Sequence, residues 1–320
     1  MTSLPAYDDL PFKAGAPVGS SWGLWGDDDV FGCLNLLTAE RVVGAARLVR
    51  KGAVFALNLD AGLPDPPFFG RAGMEHTVLG DRRGHDDLLS FNTQSSSQWD
   101  GFRHIGGPHG FYNGIADEAH GMHHWARRGI AGRGVLADVA RWREAAGRPL
   151  DPSSSDVIEP ADVDATLEAQ GVAVQEGDVL LLRTGWLTAY RSLDDAARRK
   201  AAEDLRAPGL APGRATAKWL WDHHVAAVAA DNPAVEVLPI GAGLSPDERR
   251  KGRDDPDRGP ELFVHLALLP LLGIPLGELW DLDALADDCA ADGVYEFFLT
   301  SAPLHVEAGV ASPPNALAIK

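Results

Sequence analysis

Apolar residues along this chain fall into two patterns: short unbroken runs, and positions repeating every three or four residues. Thr38 reads as the N-cap of a helix over 39–49, with Glu40 and Arg41 in its first turn. Apolar or β-branched runs at 54–59, 88–97 and 134–139 read as strands. A turn-rich stretch, GRPLDPSSS at 147–155, then separates two halves. Beyond it, Pro160 followed by Val163 and Leu167 one turn apart predicts a helix over 161–170. The run DVLLLRT at 178–184 lacks alternation, as expected of a strand buried on both faces. A charged, Ala-rich helix is expected over 194–205. A second is expected over 214–224, where Ala215 and Trp219, then Leu220 and His224, share a face. Residues 225–230 make the next buried strand.

Residues 1–37 read as an irregular N-terminal arm, and the Gly/Pro-rich, charged stretch 241–260 as a surface loop or flap. Interleaved helix and strand signals over 1–320 predict one mixed α/β domain.

Composition narrows the function classes. A chain of 320 residues with 45% hydrophobic and 23% charged residues suits a soluble globular protein that needs no disulfide or structural metal. A formal net charge of −17 repels phosphates, so neither nucleic acid nor an anionic membrane is an expected partner. The only cysteines, Cys33 and Cys289, have no zinc-finger spacing and read as reduced, buried thiols. The N-terminus has no apolar core of signal-peptide length. The longest apolar stretch, 262–277, contains His265, Pro270 and Pro275 and is too short to span a bilayer. A cytoplasmic location is expected. No Walker motif, Rossmann fingerprint or GxSxG elbow occurs, which disfavours nucleotide-binding and serine-hydrolase chemistry.

The densest polar constellation is SFNTQSSSQWDGFRH at 90–104. On an extended strand Gln94, Gln98 and Asp100 share one face, and Trp99 points to the other, towards a core. Gly101 lets the chain turn so that His104 returns to the polar face. A carboxylate, an imidazole and two amide oxygens converging there could hold a divalent cation, although glutamine is a poor ligand. From spacing alone, a hydrogen-bonded polar strand edge is the alternative.

The segment resembles the signature H-x-x-x-H-x-D-x-x-x-H of the metal-dependent cyclase and kynurenine-formamidase-like hydrolases. Gln94 and Gln98 fall where that family has two metal-binding histidines, Asp100 on its metal-binding aspartate, and His104 on its proton-transfer histidine. HLALLPLLGIPLGE, from His265 to Glu278, is similar to the family's second element. Gly177 and Asp178, leading to the Arg183–Trp186 turn, are similar to its central strand. The likeness covers roughly 30–310.

It implies a swivelling β/β/α fold, a mixed central sheet with flanking helices, assembled as a homodimer or homotetramer. It implies a divalent metal, Mn²⁺ or Zn²⁺, held by Gln94, Gln98, Asp100, His265 and Glu278. Replacing two histidines disfavours a two-zinc site, favours a harder ion, and leaves open a site without metal. The activity implied is hydrolysis of a small amide, lactam or lactone by metal-activated water, with His104 and Asp100 catalytic. The alternatives are a cyclase or dehydratase of secondary metabolism, and a non-catalytic small-molecule-binding protein.

Trp25, His109, Tyr112, Asn113 and Glu236 are candidates to contact substrate. Trp25 could fold over an aromatic ligand, His109, Tyr112 and Asn113 follow the motif, and Glu236 ends a strand. His223 and His224 read as structural residues near a helix C-terminus.

Overall fold

The unbroken apolar runs form the middle of a sheet. Every residue of Val179–Leu182 and of Ala227–Ala230 is buried, the pattern of parallel strands covered on both faces. These two strands pair in parallel with each other, with Ile130–Ala137 on one side and Leu276–Glu278 on the other. The computed structural model describes residues 4–242 and 244–320 of the chain. Within them the sheet has nine strands, ordered Val54–Ala56, Ala316–Ile319, Glu296–Ser301, Ile130–Ala137, Val179–Leu182, Ala227–Ala230, Leu276–Glu278, Gln98–Asp100 and Ala311–Ser312. Antiparallel strands complete both flanks of the parallel centre. Eleven α-helices accompany it among the described residues, and this is the mixed α/β fold expected. No helix among them is long and apolar enough to cross a membrane.

Local signals set most helix starts. Thr38 accepts a hydrogen bond from the Arg41 N–H, and the helix runs Ala39–Ala46, ending a turn earlier than the periodicity predicts. Pro160–Gln170 begins with a capping box between Glu159 and Asp162 and stops at Gly171, which adopts a φ of 67°. Asp195–Asp204, capped by Asp194, buries no residue, in keeping with its charged sequence. Arg214–Asp222 buries Thr216, Ala217, Leu220 and Trp221.

Two segments depart from expectation. The stretch 88–97 is not one strand. Leu88 and Leu89 belong to a solvent-exposed hairpin, Glu75–Asp81 with Gly84–Ser90, and an irregular turn follows. Asn92 makes that turn: its side chain accepts from the Gln94 N–H at 2.9 Å and its carbonyl from the Ser95 N–H at 2.9 Å. The flap at 241–260 carries a helix, Pro246–Arg253. Ser245 and Glu248 form a capping box there, with Pro246 at the first helical position, and this start signal outweighs the local charge and glycine content. Residues 1–3 of the arm and 243 of the flap lie outside the described residues.

Candidate active site

Strand pairing assembles the site. Gln98–Asp100 runs antiparallel to Leu276–Glu278, with Gln98 opposite Glu278 and Asp100 opposite Leu276. Facing residues in such a pair share a side of the sheet, so a residue from the first third of the chain meets one near its end. Gln98 Nε2 donates to Glu278 Oε2 at 2.5 Å, and both side chains are buried. Gly101 is required for a different reason than expected. It does not turn through a left-handed conformation; instead a Cβ there would sit 2.7 Å from the Val310 carbonyl oxygen. The His104 N–H then donates to the Gly101 carbonyl at 2.9 Å, which brings the ring back over Asp100.

His265 reaches the same point from the short helix Val264–Ala267. Its Nδ1 lies 2.6 Å from Glu236 Oε1, and Glu236 Oε2 accepts from the Val264 N–H at 2.9 Å. One carboxylate therefore caps the helix start and fixes the ring. The other ring nitrogen, Nε2, lies 3.1 Å from Glu278 Oε1 and 3.8 Å from Asp100 Oδ2. The Phe263 ring stacks on the imidazole at 4.6 Å between centroids. Gln94, in the turn made by Asn92, donates through Nε2 to Asp100 Oδ1 at 2.8 Å and lies 3.0 Å from His104 Nδ1. Arg71 holds this turn by donating to the Gln94 carbonyl at 2.8 Å.

The electrostatics follow from three buried carboxylates around one imidazole. Burial pushes the Glu278 carboxyl up to about 7, reinforced by the charge of Asp100. Burial acts the same way on Asp100, but His104 and His265 together outweigh it and bring its pKa below the usual carboxylate value. Burial works against a charged His265, yet the surrounding carboxylates of Asp100, Glu236 and Glu278 carry its pKa well above that of ordinary histidine. Burial lowers His104, against the opposing pull of Asp100, so its ring is neutral near pH 7.

The group fits a divalent cation. One ligand atom from each of Asp100, His265 and Glu278 lies within 4.8 Å of the others, and all three residues are buried. Asp100 Oδ2 and Gln98 Oε1 are buried without a hydrogen-bond partner, a costly state for a carboxylate oxygen unless a cation or proton faces it. Imidazole, carboxylate and amide oxygen are donors that Mn²⁺ and Zn²⁺ accept. The Glu236–His265 contact matches the way a metal-binding histidine is oriented by a carboxylate on its other nitrogen.

The structure thus brings together Gln94, Gln98, Asp100, His104, His265 and Glu278. Gln94 meets Asp100 and His104 through its amide nitrogen. The proposed substrate contacts lie elsewhere. Glu236 is behind His265, 1% exposed. Tyr112 is buried, its hydroxyl donating to Asp29 Oδ2 at 3.1 Å. Asn113, at a φ of 59°, ties down the N-terminal arm by accepting from the Gly23 N–H and donating to the Gly26 carbonyl, each at 2.8 Å. Trp25 packs edge-on against Trp221 at 6.4 Å. His109 lines a separate cavity with Tyr7, Trp22 and Arg214. Tyr112 and Asn113 thus serve the arm and the core, and Glu236 serves His265.

Arg71 and Phe263 were not anticipated. Phe263 lies two residues before His265, so proximity could have flagged it, whereas nothing in sequence links Arg71 to Gln94, 23 residues on.

The nine-stranded mixed sheet and the buried Asp-His-Glu group make this a mixed α/β protein with a candidate metal-binding centre. The chain belongs to the Cyclase family, whose model matches residues 30–237. A solved structure described as a novel cyclase is 32% identical, covering 94% of this chain and 99% of its own, with a TM-score of 0.80. Isatin hydrolase A from Labrenzia aggregata, solved with benzyl benzoate, is 18% identical over 89% of this chain and 98% of its own, at a TM-score of 0.53. Isatin hydrolase A from Ralstonia solanacearum is 15% identical over 88% and 98%, at 0.54. These last two share the fold. No curated protein matches the chain significantly.

Proposed function

We propose that the protein is a metal-dependent hydrolase of a small amide, lactam or lactone. The observation that carries this is the buried group of Asp100, His265 and Glu278, with Asp100 Oδ2 lacking a donor and His104 Nε2 3.8 Å from it. When bound there, a divalent cation, Mn²⁺ or Zn²⁺, supplies polarisation of a carbonyl and a lower pKa for water. Asp100, His265 and Glu278 would hold it, with Gln98 beside them, and Glu236 keeps the His265 ring aimed. His104, neutral and partly exposed, is placed to take a proton from water and return it to the leaving group. Gln94 steadies both His104 and Asp100. Burial excludes bulk water from the acidic group, which strengthens its field.

Isatin, the substrate named for two structural relatives, is a lactam, consistent with the bond class proposed. A cyclase or dehydratase is the second reading, favoured by the His104–Asp100 pair, 3.8 Å apart, which can move protons without a metal. Labelled water separates the two: hydrolysis incorporates its oxygen into product, and cyclodehydration does not. A non-catalytic binder would give thermal-shift ligands but no turnover. A net charge of −17 and two buried free thiols support a cytoplasmic protein that binds a small molecule, not nucleic acid or membrane. The exposed Val78, Leu79, Leu88 and Leu89 of the hairpin support assembly as a homodimer or homotetramer of single-domain chains.

Elemental analysis of the purified protein and of Asp100→Ala tests the metal. The expected result is about one equivalent of Mn or Zn per chain, absent from the variant. No metal in either protein after incubation with both ions would sink the hydrolase reading.

A further inference from the structure

A cavity of about 610 Å³ adjoins the site and differs from it in charge. Its apolar wall includes Phe69, Leu238, Ile240 and Phe263, and its rim carries Arg249, Arg250 and Arg253 against a single acid, Asp254. Two observations join the cavity to the acidic group. Phe263 lines the cavity and stacks on His265. The Arg71 guanidinium lies 5.0 Å over the Phe69 ring while donating to the Gln94 carbonyl.

This cluster is unusual in a chain with 29 basic and 46 acidic residues. Arg250 pairs with Asp247 at 3.6 Å, but Arg71, Arg249 and Arg253 make no ion pair among the described residues. Guanidinium groups left without a carboxylate at the edge of an apolar cavity are matched to a planar anion, which they bind with paired, charge-assisted hydrogen bonds. The volume suits a ring-sized body.

Resting on the hydrolase reading, we infer that the substrate carries a carboxylate at the end away from the scissile bond: its apolar body occupies the cavity beside Phe69 and Phe263, and its carboxylate is held by Arg249 and Arg253. The reacting carbonyl then lies towards His104 and Asp100. The class is an aromatic or alicyclic amide, lactam or lactone acid, and neutral analogues are poor ligands.

Calorimetric titration of the full chain with 3-phenylpropionate and with neutral 3-phenylpropan-1-ol tests this, since neither probe can be hydrolysed. The anion is expected to bind about tenfold or more tighter, a difference that shrinks to about twofold in R249Q/R253Q and is partly kept in R249K/R253K, which retains the charge without the paired hydrogen bonds. Equal binding of the two probes by the wild-type protein overturns the inference. So does an anion preference that persists in R249Q/R253Q but disappears in Asp100→Ala, which would place the carboxylate at the acidic group. Absence of amide or lactone hydrolysis, with the arginine-dependent preference intact, would instead count against the hydrolase reading alone.

Discussion

Two ionic clusters lie along the sheet, a partly buried one around Arg183 and a buried one around His265. Arg183 donates to Asp138 and to Asp283, each at 3.0 Å, and to Thr188 at 3.1 Å. Beside it, Asp231 accepts from the Thr184 N–H and hydroxyl, both at 2.7 Å, and from the Gly185 N–H at 2.9 Å. Asp231 thus fixes Thr184 at the end of its strand. Around His265 the balance is different: Asp100, Glu236 and Glu278 crowd one imidazole, and Asp100 Oδ2 has no donor. The first cluster is satisfied and pins a strand end to its turn and helix. The second is under-compensated, and such a site persists when something else supplies the missing positive charge. Burial of charge alone does not distinguish structure from function; the state of the acceptors does.

The comparison can be broken most strongly by removing charge from each cluster. His104→Ala should lower kcat by about 10²–10⁴-fold with metal content retained, because it removes proton transfer and no proposed ligand. Loss of metal together with activity would instead make His104 a ligand. Arg183→Met should cost about 1–3 kcal/mol in denaturant unfolding, since it removes the bridge between Asp138 and Asp283 while Arg141 and Arg191 still pair with them. In contrast, Glu278→Gln in metal-free protein should change stability by less than about 1 kcal/mol in either direction, because it relieves carboxylate crowding. An equally large loss in both variants would erase the distinction. Saturating Mn²⁺ or Zn²⁺ at about 100 times Kd should stabilise the wild-type chain by about 2.7 kcal/mol and leave Asp100→Ala unmoved, read as a Tm shift. Glu236→Ala should weaken metal binding about 10–100-fold by freeing the His265 ring.

The smallest effect concerns pH. Burial lifts the Asp231 carboxyl to about 6 from an ordinary 3.8, despite its three donors. Between those values the folded chain holds a proton that the unfolded chain has released, so stability falls as pH rises through that window. Asp231→Asn should flatten this part of a Tm–pH profile.

Much of the site was legible because it is written in short-range spacing. Asp100 and His104 are four residues apart, and His265 and Glu278 lie within one continuous apolar element. The buried strands at 179–182 and 227–230 were legible for a similar reason, since unbroken apolar runs have few alternatives. The hairpin was not, because a ribbon exposed on both faces leaves no alternation to read. Residues 91–97 were misread as strand because Asn92 satisfies the backbone locally. Glu236 looked like a pocket carboxylate from its place at a strand end, and only packing showed it turned towards the helix start at Val264.

The sequence by itself determined the family and the mixed α/β class, and it singled out residues that the fold gathers at the candidate site, because these rest on residue identity at fixed spacing. The tertiary structure alone decided that Gln98 faces Glu278 across a strand pair, 180 residues apart in sequence, and that Asp100 Oδ2 lacks a donor. It also decided that a rim of arginines borders a cavity that meets this site at Phe263. Register, orientation and the satisfaction of buried acceptors depend on contacts between distant segments, and no local pattern encodes them.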